Sequence, residues 1–270
     1  MRPSESDPLA IDAELVRRWL VSFLRDEVTH RRGFTKGIVG ISGGVDSAVT
    51  AFLAAAALGP ENVIGVRMPY RTSSPESLAH AQLVIDALGI PSLTVDIGDA
   101  VDGYLRAVGE ADGHRQGNVM SRQRMIVLFD LSAKHRALPL GTSNKSERLL
   151  GYFTWHADDA PPVNPLGDLF KTQVWALARH MGVPEEIVAK PATADLITGQ
   201  TDEADLGLPY TKVDRILHAL VRGDDPPGTP ADVELVRKRL DSTHWKRKLP
   251  TVAVLSQTAI GEFYLRPVDY

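Results

Sequence analysis

Among the residue types able to do chemistry, the densest grouping is Ser42-Gly-Gly-Val-Asp-Ser47. Glycines at 43 and 44 let backbone approach a ligand with no Cβ in the way, and the Ser42 and Ser47 hydroxyls can donate hydrogen bonds. The segment follows a short apolar run, residues 36–41, and precedes a strong helix former, residues 48–58. A turn that leaves a buried strand and enters a helix aims its N–H groups and the positive end of the helix dipole at whatever lies above the sheet. An anion is expected there, specifically a pyrophosphate group. Asp46 needs a cation to sit so near phosphate, and magnesium suits both sets of hard oxygens. The turn is neither G-x-x-x-x-G-K-[ST] nor G-x-G-x-x-G, so the P-loop kinase and dinucleotide dehydrogenase readings lose their signature. A glycine-rich turn with no ligand is the structural alternative.

Three further side chains bear on this chemistry. Arg67 ends a predicted strand, and side chains there meet a ligand at the carboxyl edge of a parallel sheet; a surface arginine is the alternative. Lys171 opens a helix after a loop, where the dipole opposes a cation unless an anion neutralises it, which favours a phosphate contact over a solvated face. Glu147, taken alone, reads as an ordinary first-turn helix residue favoured by the dipole.

The elements that must position these residues follow from periodicity. Residues 11–31 place Leu15, Trp19, Leu20, Phe23 and Leu24 at helical spacing. Strand, turn and helix then recur: strands at 36–41, 62–67 and 93–97, helices at 48–58 and 76–88, each helix closed by a glycine. A helix over 119–137 and a short strand at 138–140 come next. Residues 151–167, with Pro161, Pro162 and Pro165, are too broken for regular structure and read as a functional loop. Helices near 171–181, 210–221 and 231–242 close the chain, separated by polar loops at 190–207 and 222–230. The fold class is α/β, a doubly wound parallel sheet flanked by helices, in one domain over 1–270 with a C-terminal helical part at about 171–250.

Composition narrows the function. Lys and Arg total 30 against 34 Asp and Glu, a net charge of -4, so no broad positive field attracts nucleic acid. The chain has no cysteine, which removes thiolate nucleophiles, disulfides and Cys-ligated metal centres together. No apolar stretch approaches the ~20 residues that span a bilayer, and the start has no apolar signal region. The expectation is a cytoplasmic protein with no membrane partner.

SGGVDS matches the signature loop of the N-type ATP pyrophosphatases, which split ATP into AMP and pyrophosphate to activate a substrate oxygen. Within that group the chain resembles ammonia-dependent NAD synthetase. The resemblance runs in order from about Leu15 to Leu249 through Gly117-Asn-Val-Met-Ser-Arg-Gln-Arg-Met125, Gly141-Thr-Ser-Asn-Lys-Ser-Glu147, Gly151-Tyr-Phe-Thr154, Pro165-Leu-Gly-Asp-Leu-Phe-Lys-Thr-Gln173 and Ala192-Thr-Ala-Asp-Leu196. It implies a Rossmann-like fold. It implies that Gly40, Ile41, Ser42, Gly43, Gly44, Val45, Asp46, Ser47 and Arg67 hold ATP, with Thr142, Lys171 and Thr193 completing the contacts. It also makes Asp46 and Glu147 the magnesium ligands, and implies a homodimer. The apolar face of Val127, Leu128 and Leu131 and the helix from Ile11 could pair across subunits or pack on the sheet.

Arg122 matches the family's contact to the dinucleotide substrate, while Arg124 reads equally as structural. Lys246 matches the basic residue of a C-terminal His-Lys pair, but here Trp245 precedes it. Trp155 stands where many members have Lys, and Pro162 where they usually have Asp. Asp158 holds the acidic position of the same loop. All three departures concern the dinucleotide. Trp155 and Trp245 either stack on a heteroaromatic ring or close a lid over the same substrate, accompany a different carboxylate acceptor, or are simply packed.

The activity implied is amidation of deamido-NAD by ammonia through an acyl-adenylate, with ATP as co-substrate, magnesium as cofactor, and AMP and pyrophosphate released. Glutaminase fusions use a Cys nucleophile that this chain lacks, so the nitrogen donor is free ammonia unless a separate subunit delivers it. Tasks still open to the same fold are an amide ligase for another carboxylate and an ATP- or AMP-sensing module without chemistry; the second has no need of Asp46, Glu147 and Lys171.

Overall fold

In a computed structural model that describes residues 7–109, 111–193, 199 and 201–248, four strands form one parallel sheet. They are β1 (Lys36–Gly40), β2 (Val63–Arg67), β3 (Ser92–Thr94) and β4 (Ala137–Pro139), in the order β3-β2-β1-β4. Ile38 pairs with Ile64 on one side and with Pro139 on the other. The strands are apolar on both faces because helices cover both. Val39 and Val63 turn toward α1 (Ala13–Arg25), α2 (Val45–Leu58) and α7 (Lys171–Met181). Ile38, Ile64 and Val66 turn the other way, onto Leu128 and Leu131 of α5 (Gly113–His135).

α2 is central to the first layer. Ala48, Val49, Ala51, Leu53 and Ala54 are fully buried, the small residues allowing close approach to sheet and neighbouring helices. Truncating Leu53 or its fully buried neighbour Leu177 of α7 to Ala costs about 2–5 kcal/mol. The crossover after β2 is α3 (Pro75–Leu88), capped by Ser74 and closed by Gly89 in the left-handed region.

α6 (Lys145–Leu150), α8 (Glu185–Val188), α9 (Asp202–Leu206), α10 (Tyr210–Arg222) and α11 (Pro230–Ser242) lie beyond the sheet in chain order among the described residues, with α7 between α6 and α8. Leu150, Phe170, Leu206, Tyr210, Leu217 and Val236 form a separate apolar cluster there. No helix among the described residues is long and apolar enough to cross a membrane.

Several elements differ from the sequence reading. The first helix ends at Arg25 and continues as a π-helical turn over Asp26–His30. A helix, α4 (Gly98–Val108), occupies a stretch that periodicity did not single out. α5 starts at Gly113, six residues before the expected 119, because Asp112 caps it by accepting from Arg115 N–H at 2.8 Å. The strand expected over 93–97 spans Ser92–Thr94, and α9 forms inside the loop expected at 190–207. Residues 194–196 of the fifth family string, and position 249, lie outside the described residues.

Leu128 and Leu131, offered above for either a subunit contact or the sheet, pack on the sheet. The open apolar side chains of α5 are instead Ile126 and Phe129, 61% and 41% exposed. On α1, Leu24 is fully buried while Leu15 and Trp19 stay exposed.

Candidate active site

β1 connects through α2 to β2 on one side, while β4 lies on its other side. The chain therefore departs in opposite directions above the carboxyl ends of β1 and β4, the crevice in which open α/β sheets bind ligands. Residues 41–44 and 140–144 flank it. A cavity of about 450 Å³ opens there, lined by Gly40, Ile41, Ser42, Gly44, Val45, Asp46, Ser47, Thr142, Glu147, Lys171 and Thr193 among others, within the size range of small-molecule sites.

The Ser42–Ser47 turn is knitted by its own hydroxyls. Ser47 Oγ donates to the Gly44 carbonyl at 2.9 Å and accepts from Ser42 N–H at 3.2 Å, while Ser42 Oγ accepts from Gly44 N–H at 3.3 Å. The two glycines do different work. Gly44 lines the cavity, as expected for backbone meeting a ligand. Gly43 does not; with φ +81° it lies against α3, where a Cβ would stand 2.1 Å from the Ser77 carbonyl oxygen.

Asp46 enters the cavity from the first turn of α2 and is held from two sides. Asn144 Nδ2 donates to its Oδ1 at 2.9 Å, and Lys171 Nζ donates to its Oδ2 at 2.6 Å. Lys171 Nζ also reaches Glu147 Oε1 at 3.2 Å. Glu147 holds the helix position open to it: its N–H and Oε2 form a reciprocal capping box with Asn144 at the start of α6, and its other oxygen meets the lysine. Burial pushes the Glu147 carboxyl up to about 8, against the pull of Lys171. Lys171 itself is lowered by burial, but Asp46 and Glu147 outweigh that and leave it above the usual lysine range.

The dipole objection to a cation at the start of a helix is resolved by the chain's own anions. Lys171 opens α7, and besides Asp46 and Glu147 the buried Asp214 of α10 sits beside that end. Asp214 accepts from Thr172 N–H and Oγ at 2.8 Å and from Ser146 Oγ at 2.5 Å, while Ser146 Oγ accepts from Lys171 N–H at 2.9 Å. Three helices are thereby locked around the lysine. Its ammonium lies 5.4 Å from the ring centre of Tyr210, whose hydroxyl donates to Asp202 at 3.1 Å. Asp202 N–H bonds the Ala192 carbonyl at 2.8 Å, closing the base of the segment that carries Thr193.

Two carboxylates converging on one cation are a fit donor set for a divalent ion. Among the described residues no group of three or more His, Asp or Glu forms a cage, so such an ion would take Asp46, Glu147, substrate oxygens and water.

Arg67, expected at the nucleotide, ends β2 but is not among the cavity-lining residues. Its guanidinium donates to Gln82 Oε1 of α3 at 2.5 Å. Arg122, Trp155, Trp245 and Lys246 likewise lie off the cavity wall. They form one cluster beside it: Arg122 donates to the Trp155 carbonyl at 3.1 Å, and Trp155 meets Trp245 edge to face at 5.0 Å. Lys246 Nζ is committed to the Gly151 carbonyl at 2.6 Å and to that of Phe153, and burial draws it below the usual lysine range. The tryptophans are 38% and 50% exposed, so simple core packing does not account for them. Asp158 does line the cavity, and its carboxyl, raised by burial, accepts from Ser121 Oγ at 2.9 Å and Thr154 N–H at 3.1 Å.

The sequence reading assigned no role to Asn144 or Asp202 and left that of Arg124 open. Asn144 was readable, since Asn-x-x-Glu before a helix is a capping signal. Asp202 was not, because nothing in a short cap sequence reports its approach to Lys171. Arg124, read as equally structural, does line the cavity, with Nε on the Met68 carbonyl at 3.2 Å.

Residues 16–250 match the family NAD synthase. The chain is 48% identical to an NH(3)-dependent NAD(+) synthetase of Trichlorobacter lovleyi, over 97% of this chain and 98% of that one. It is 41% identical to the protein of that description from Fusobacterium nucleatum, over 92% and 99%. Among solved structures, NMN synthetase from Francisella tularensis superposes with a TM-score of 0.84 at 28% identity, covering 91% of this chain and all of that one. An NH3-dependent NAD synthetase from Campylobacter jejuni, in complex with the nitrate ion, superposes with a TM-score of 0.77 at 29% identity, covering 90% and 100%.

Proposed function

The chain belongs to the NAD synthase family, and from that premise we propose that the cavity above β1 and β4 is where it converts deamido-NAD, ammonia and ATP to NAD, AMP and pyrophosphate. The observation that carries the reading is the convergence of Asp46, Glu147 and Lys171 beside the Ser42–Ser47 turn. Such a cluster stabilises charge at a leaving group, which a sensor of ATP does not need.

A carboxylate is a poor acyl electrophile, because attack adds negative charge beside an oxyanion whose oxygen leaves badly. Adenylation removes both obstacles. An oxygen of the nicotinate carboxylate attacks the α-phosphorus of ATP and the bond to the β-phosphate oxygen breaks. Pyrophosphate leaves into the Ser42–Ser47 turn, its charge met by backbone N–H groups and Lys171. Ammonia then attacks the acyl carbon, AMP departs with the carboxylate oxygen, and a proton is released. Asp46 and Glu147 are the residues that would hold a magnesium ion, which when bound supplies neutralising charge at the phosphate oxygens. Thr142 and Thr193 line the nucleotide side of the cavity. What this chain contributes is chiefly orientation and fixed charge.

The acceptor's far end falls to the cluster of Arg122, Trp155, Trp245 and Lys246 outside the cavity. The two exposed indoles stand edge to face, so one ring face is available to stack on a heteroaromatic ring. Because the neighbour from Francisella tularensis is an NMN synthetase, a mononucleotide carboxylate is the second acceptor to set beside deamido-NAD. The exposed Ile126 and Phe129 of α5 support a homodimer, and the enzyme would work in the cytoplasm.

The test is AMP formation from magnesium-ATP and ammonium with deamido-NAD, nicotinate mononucleotide, nicotinate, xanthylate or no acceptor. AMP and NAD with deamido-NAD are expected. AMP made only with another acceptor, or with none, would overturn the assignment.

A further inference from the structure

Lys190 follows α8 by two residues. It lines the nucleotide cavity together with Ser77, and its Nζ donates to Ser77 Oγ at 3.0 Å. Ser77 in turn adjoins the anion turn, because its carbonyl oxygen occupies the space a Cβ of Gly43 would need. The ammonium of Lys190 is thus delivered to the α3 side of the Ser42–Ser47 turn. Its place is fixed by Ile187 and Val188, both buried in the main core.

Charge accounting within the cavity gives this position its meaning. Lys171 is shared with Asp46 and Glu147, so by itself it leaves most of the charge of a polyphosphate unmet. Lys190 makes no ion pair among the described residues, and its recorded partner is a neutral hydroxyl. An ammonium has three donors, and a partly buried one facing a cavity is a binding group for an anion.

We propose that Lys190 is a second cationic contact for the β- and γ-phosphates of bound ATP, and so for the departing pyrophosphate, with Ser77 holding its ammonium in place. The inference rests on the nucleotide reading of the cavity given above and adds a residue to it.

The test is calorimetric binding of inorganic pyrophosphate and of AMP, each with magnesium, to the full-length protein, Lys190→Gln and Lys190→Arg, alongside AMP formation. For Lys190→Gln, pyrophosphate is expected to bind about tenfold more weakly, the scale of one lost charge-assisted contact, and the KM for ATP to rise. AMP binding should stay unchanged, and Lys190→Arg should recover most of the loss. Pyrophosphate binding that Lys190→Gln leaves intact overturns the proposal, as does an equal loss for AMP. Unaltered protein that binds pyrophosphate through Lys190 yet forms no AMP with any acceptor sustains the contact and overturns the catalytic reading. No binding of pyrophosphate at all overturns both.

Discussion

Lys171 and Asp46, 125 residues apart in the chain, form a buried ion pair with Nζ 2.6 Å from Oδ2. The pair ties the start of α7 to the start of α2, and both residues line the cavity. Burying one charge unpaired costs about 3–5 kcal/mol, so Lys171→Met should lose turnover and a large part of the stability together. Asp46→Asn keeps the shape and one acceptor; it should abolish turnover while shifting the thermal midpoint less than Lys171→Met does. Turnover by Asp46→Asn within a few-fold of the parent would show that the carboxylate is dispensable.

Asn144 serves two structures at once, capping α6 through Oδ1 and holding Asp46 through Nδ2. Asn144→Asp preserves the cap, because a carboxylate accepts the same N–H, but replaces the donor to Asp46 with a like charge. Activity should fall by about 10–100-fold, the range seen when an outer partner of a ligating group is lost. Circular dichroism of the variant should remain that of the parent. A variant with undiminished activity would mean that the Asn144 bond does not orient Asp46.

Trp155 and Trp245 meet edge to face at 5.0 Å beside the cavity. Their contribution should appear in acceptor binding and not in ATP binding. Replacing either by Ala should raise the KM for deamido-NAD, by about threefold to tenfold for the loss of an aromatic contact, with the KM for ATP unmoved. Equal changes in both constants would assign the indoles to packing.

Glu14 of α1 meets Arg17 at 2.8 Å and His180 of α7 at 2.9 Å, and Arg17 followed by His180 holds its carboxyl down to about 2. A depressed carboxyl contributes stability above its unfolded value of 4.5, and that contribution is lost as pH falls toward 2. Thermal midpoints of the parent should therefore drop more steeply over that window than those of Glu14→Gln. Added salt should narrow the gap, because the pair is exposed. Identical slopes for the two proteins would remove Glu14 from the acid response.

The parallel sheet and the glycine-rich turn between β1 and α2 were legible in the sequence because their signals are local. Apolar runs between glycine-closed helices give the βαβ alternation, and Ser42–Ser47 carries its chemistry within six residues. α4 was not legible, since Gly98 and Gly103 weaken its propensity and Val101 alone of its residues is buried. The full environment of Lys171 was equally hidden. Asp214 and Asp202 reach its vicinity from α10 and α9, and no spacing in the chain announces a contact made by tertiary packing. Arg67 shows the converse: its place at a strand end was readable, but the hydrogen bond that turns it toward Gln82 was not.

Adenylation of the acceptor carboxylate in the cavity would carry one of its oxygens into AMP, so isotope transfer reads that step. Deamido-NAD labelled with oxygen-18 in both carboxylate oxygens would be turned over with magnesium-ATP and ammonium, and the products analysed by mass spectrometry. Adenylation predicts one labelled oxygen in AMP, one retained in the amide of NAD, and none in pyrophosphate. Label in inorganic phosphate, or AMP without label, would contradict attack at the α-phosphorus.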